Sequence, residues 1–206
     1  RTLFGGQNTV LTFLLLAGLY AAWKREQSLL AGLFLGLLSY KPQYTLVFGL
    51  VFLLRREWRV LGVATAVVGV HYALGALVCG PKWPLAMLGT LEELRHTFLS
   101  LNAPTHFSLI RSLDYSVGGW PGRAIALALI ALAVGVCWRR ARTIQPSDPR
   151  FGLAWSLLLL TTLLASPHLQ FYDAGLLALP VLIGLDTVLQ DRSPSLRLRF
   201  VLLAAY

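Results

Sequence analysis

The 206-residue chain is 56% hydrophobic and only 13% charged, with a formal net charge of +9. Ordinary soluble domains carry about a quarter charged residues, so this balance excludes a typical water-soluble fold. On a soluble protein the excess of Lys and Arg would point to nucleic acid, but here the basic residues fall between apolar runs, where they set orientation and meet anionic headgroups; nucleic acid is not an expected partner and membrane lipids are.

In chain order the apolar segments run from Val10 to Trp23, Ser28 to Tyr40, Tyr44 to Leu54, Val60 to Cys79, Ala124 to Trp138, Phe151 to Ala165 and Ala174 to Gln190, with a further run opening at Phe200. The chain starts with Arg1 and stops inside that last run, so we expect a fragment cut at both ends. The expected fold is all-α: a polytopic transmembrane helical bundle forming one domain over residues 1–206, with a long connection at 80–120.

The second and third segments are short against the ~20 residues that a straight span needs. They flank Lys41-Pro42 and form either one proline-broken span or a hairpin of two short helices. In a hairpin, 12 of the 18 basic residues, among them Lys24, Arg25, Arg55, Arg56, Arg59, Arg139 and Arg150, share the cytoplasmic side. One span would scatter them, so the positive-inside rule selects the hairpin. Tips of short helices must be covered by protein or line a wet cavity, which predicts a cavity opening outwards near Lys41.

The same topology gathers Gly5 to Asn8, Lys41, the 80–120 connection and the stretch Ser166 to Asp173 on the outer face. Pro84 to Leu101 has leucines at helical spacing and reads either as an interfacial amphipathic helix or as a packed loop helix. The two cysteines, Cys79 and Cys137, fall at ends of spans on opposite faces, too far apart for a disulfide. Neither they nor the four scattered histidines have the spacing of a metal site, and no phosphate-binding glycine loop is present. No cofactor is expected.

Several polar residues stand out against this background. Lys41 ends a short apolar helix; a lysine at bilayer depth costs about 2.5–3.5 kcal/mol, so it reads as a functional cation, with a snorkelling helix anchor as the alternative. Gln7 and Asn8 suit a helix start, and Asp173 suits an N-cap and the helix dipole. His71, near mid-helix, is expected to make an interhelical hydrogen bond, and Gly32 with Gly36 to mark close helix packing.

Gly6-Gln7-Asn8 opening an apolar helix, Leu30 to Leu37 leading to Lys41-Pro42, a run closing in Leu54-Arg55-Arg56-Glu57-Trp58-Arg59, and Ser166-Pro167-His168 through Tyr172-Asp173 before a helix with Pro180 resemble glycosyltransferase family 87. The resemblance implies a GT-C-like membrane fold and transfer of a hexose, mannose in that family, from a polyprenyl-phosphate donor to a lipid or glycan acceptor at the outer face of a bacterial plasma membrane. It implies a catalytic carboxylate upstream of residue 1, with Asp173 as a weaker candidate within the chain. It also implies donor and phosphate contacts from Lys41, Gln7, Asn8, His168 and Tyr172, and from His106 and Arg111 in the outer loop, where a solvated arginine is the plainer alternative. Such a reaction needs a carboxylate facing the acceptor hydroxyl and cations facing the departing phosphate. The rival expectations are a secondary transporter, which an internal repeat would favour, and a non-catalytic assembly protein, in which Lys41 and Asp173 are freely replaceable.

Overall fold

The computed structural model describes residues 8–90, 116–166 and 171–190, and among these the regular structure is all helix, without strands. The elements are α1 (Thr9–Lys24), α2 (Ser28–Leu37) closed by a 3-10 turn (Leu38–Tyr40), α3 (Pro42–Leu54), α4 (Trp58–Cys79), α5 (Gly119–Thr143), α6 (Phe151–Ala165), a 3-10 segment (Phe171–Leu177) and α7 (Ala178–Gln190). Residues 83–90 continue as a helix beyond α4, which covers the start of the expected loop helix; its remainder lies outside the described residues. Among the described residues two helices are long and apolar enough to cross a membrane, Trp58–Cys79 and Asp173–Gln190, and four more apolar helices are shorter.

The question posed by the two short segments is answered by register. A Cβ built on Gly32 would meet the backbone oxygen of Val60 and the side chain of Val63, and one on Gly36 would meet Ala64 and Val67. Each step of four residues along α2 matches a step of four along α4, so the two helices run parallel and start at the same height. The chain must therefore return between them, and α3 is that return: the segments double back at Lys41 as expected. The glycines allow α2 and α4 to approach backbone to backbone, the packing read from their spacing.

Both connections at the far end of these helices are three residues long and built alike. Glu26 and Arg56 adopt left-handed φ of 57° and 59°. In each turn the following residue donates back across it, Gln27 N–H to Ala22 O and Glu57 N–H to Phe52 O. This is the six-to-one closure that usually employs glycine at the left-handed position. Two consecutive helical hairpins thus carry the same turn.

The core lies between the hairpins and α6. Trp23, Phe48, Phe52, Phe151 and Trp155 are all buried. Trp23 meets Phe52 at 4.3 Å between ring centroids, and meets Trp155 edge-on at 5.1 Å. Gly18 admits Phe34 between α1 and α2, and Gly152 admits Thr187 between α6 and α7. These aromatics sit towards the end that gathers the basic residues. There Arg55 donates to Ile144 O at 2.9 Å and to Gln145 Oε1 at 3.1 Å, and lies 4.8 Å over the Trp23 ring. Burial pulls its pKa below the ordinary arginine value, and neighbouring Glu57 pulls it back. Lys24 pairs with Asp186 at 3.8 Å on the same rim.

The expected single run from Ala174 to Gln190 is instead a 3-10 segment followed by α7. Pro180 supplies a physical reason. It has no N–H for the carbonyl four residues back, so α-helical hydrogen bonding is interrupted there. The carbonyl of Pro180 accepts the Ser156 hydroxyl, which fixes α6 against the start of α7.

Candidate functional site

At the end opposite the basic turns, three segments far apart in sequence converge: the start of α1, the Lys41 tip and the 3-10 segment carrying Asp173. Pro42 builds the tip. As the first residue of α3 its fixed φ suits a helix start, and it holds the preceding Lys41 out of the helical region, at φ −119° and ψ 78°. The Lys41 N–H closes the 3-10 turn on Leu38 O at 2.8 Å, while its carbonyl accepts Tyr44 N–H at 3.0 Å. The backbone is thereby fixed on both sides of the lysine.

The Lys41 Nζ lies 3.1 Å from Asp173 Oδ1. The same oxygen accepts a hydrogen bond from Thr9 Oγ1 at 3.0 Å. The Asp173 side chain is 7% exposed and that of Lys41 19%, so the pair is nearly sealed on the carboxylate side and partly open on the ammonium side. The Tyr44 ring stands 5.8 Å from Nζ, within cation–π range. Behind the pair, Thr12 Oγ1 donates to Asn8 O at 2.8 Å and shares a 2.7 Å hydrogen bond with Tyr40 OH, which ties α1 to the tip.

An ammonium has three donors, and among the described residues Asp173 is the one hydrogen-bond acceptor that meets Nζ. The ammonium thus has donor capacity beyond the one bond that it gives Asp173. Two of the plainer structural readings give way in this light. Lys41 is not a snorkelling anchor, since it turns to a buried carboxylate. Asp173 is not a helix cap, since its oxygen serves Lys41 and Thr9 from within the 3-10 segment.

The remaining candidates distribute unevenly. Asn8 stands at the N-cap position of α1, but its side chain makes no capping hydrogen bond and is exposed. Tyr172 adjoins Asp173 in the 3-10 segment, where the backbone places it. Gln7, His106, Arg111 and His168 lie outside the described residues. His71 makes the expected interhelical bond, 2.7 Å from its Nδ1 to Ser39 Oγ. Among the described residues no group of three His, Cys, Asp or Glu could hold a metal ion. Sequence reasoning missed Thr9, Thr12, Tyr40 and Tyr44. Their signal was present: Thr9 and Thr12 are one helical turn apart at the start of an apolar helix, and so share a face.

No curated protein and no solved structure matches the chain. The model of glycosyltransferase family 87 matches residues 1–167, a stretch that includes Thr9, Tyr40, Lys41 and Tyr44 and stops six residues before Asp173. That match covers most of the 206 residues and agrees with the motifs at the first hairpins; the chain belongs to glycosyltransferase family 87.

Proposed function

We propose that this protein is a polytopic, GT-C-like membrane enzyme that transfers a hexose, mannose by family resemblance, from a polyprenyl-phosphate donor to a lipid or glycan acceptor. The reaction takes place at the non-cytoplasmic face of the cell membrane. The observation that carries the reading is the buried Lys41–Asp173 pair, at the end of the bundle away from the arginine-rich turns. A family of glycosyltransferases supplies the reaction class, and a nearly buried cation with spare donors supplies a place for the phosphate.

In this reading the acceptor hydroxyl attacks the anomeric carbon of the donor sugar as the bond to the phosphate oxygen breaks. Negative charge develops on the departing polyprenyl phosphate, and the Lys41 ammonium stabilises it. The proton of the acceptor passes to a carboxylate, expected upstream of residue 1 by family resemblance, with Asp173 as the weaker candidate. Asn8 precedes Thr9 and Tyr172 precedes Asp173; together with Gln7, His106, Arg111 and His168 they are proposed donor contacts.

The test is transfer of mannose from polyprenyl-phosphate-mannose by the full-length protein in membranes, with Lys41→Ala and Asp173→Asn beside the wild type. Loss of turnover in both supports the assignment, and unchanged turnover in both removes it.

A further inference from the structure

We infer that Thr9 is a positioning residue for the donor site, an inference that rests on the function proposed above. Thr9 is the first residue of α1 and is 6% exposed, although it is polar and opens an apolar helix. Its hydroxyl reaches 164 residues along the chain to donate to Asp173 Oδ1, the same oxygen that faces Lys41 Nζ. Two donors on one oxygen fix the rotation of the carboxylate. Oδ1 is committed to Thr9 and Lys41, and Oδ2 has no hydrogen-bond partner among the described residues.

The consequence falls on Lys41. Its flexible stem ends in a charge with freely rotating donors, and a carboxylate free to rotate would draw it into several geometries. With Oδ1 pinned by Thr9, the ammonium has one acceptor in one place. The opposite side, where the lysine is partly open, then presents its remaining donors to an incoming phosphate. Thr9 is β-branched and has few side-chain rotamers, which suits it to hold this angle. Thr12 does not duplicate the role, since its hydroxyl is engaged by Asn8 O and Tyr40.

The test uses membranes containing the full-length protein and polyprenyl-phosphate-mannose as the varied substrate, with radiolabelled mannose followed into the endogenous acceptor. Thr9→Val keeps the shape and removes the donor. It is expected to raise the apparent KM for the donor about tenfold, the weight of one hydrogen bond to a charged group, while kcat stays within about twofold. Thr9→Ser restores the wild-type KM. If Thr9→Val does not accumulate in membranes, Thr9→Ala replaces it as the variant without a donor. An unchanged KM in the donorless variants, or a Thr9→Ser variant as impaired as Thr9→Val, overturns the inference. Lys41→Ala separates the two levels: if it transfers like the wild type, the proposed donor site itself falls; if it is inactive while Thr9→Val is normal, only the role of Thr9 does.

Discussion

The two ends of the bundle treat charge in opposite ways. At the arginine-rich end, Lys24 and Asp186 are 3.8 Å apart with side chains 39% and 51% exposed, and water does most of the solvation. At the other end, Lys41 and Asp173 are 3.1 Å apart and almost enclosed, with Thr9 adding a second hydrogen bond to the same carboxylate oxygen. A surface pair like the first is nearly dispensable. A buried pair like the second costs desolvation, which is repaid only if every partner is present. Such an arrangement is expensive to keep at a place where an apolar contact would suffice, and for that reason we place the chemistry there.

The largest effect should come from breaking that contrast at the buried end. Lys41→Ala strands Asp173 and is expected to lower stability by about 3–5 kcal/mol, read by thermal unfolding in detergent micelles. Replacing both partners, Lys41→Met with Asp173→Leu, should recover most of the stability, because the paired desolvation cost disappears. Transfer should remain absent. Recovery of transfer in the double variant would show that the pair is a structural fastening and nothing more.

A smaller loss is expected between the two ends. In Gly32→Ala the new Cβ would lie 2.6 Å from the Val60 backbone oxygen, which cannot turn aside as a side chain can. Overpacking of this kind costs about 1–3 kcal/mol, and it would disturb the matched heights of α2 and α4. The turns offer the reverse sign. Glu26→Gly removes a left-handed non-glycine residue and should stabilise by about 1 kcal/mol in the same unfolding measurement. The smallest change belongs to the exposed pair, where Lys24→Ala should cost no more than about 0.5 kcal/mol.

Much of this was legible in the sequence. The helical segments, the reversal at Lys41-Pro42, the close packing at Gly32 and Gly36, and the interhelical bond of His71 all follow from local composition, proline chemistry and charge placement. Helix starts were less so: α3 begins at Pro42 rather than Tyr44 and α4 at Trp58 rather than Val60, because polar residues enter a first turn without a sign in hydropathy. The pairing of Lys41 with Asp173 was not legible at all. It joins residues 132 apart, and nothing local to either predicts the other. Thr9 was lost for the same reason, since a hydroxyl at a helix start reads as capping until its distant partner is known.

The parallel register of α2 and α4 also sets a depth. Ser39 meets His71, and α4 continues from there to Cys79, eight residues further. At 1.5 Å per residue the end of α4 rises about 12 Å past that level, so Lys41 sits at the floor of a step roughly 10 Å down from the neighbouring helix. A headgroup bound at the lysine would be drawn below the level of α4's end, keeping the first carbons of its tail alongside apolar helix surface throughout.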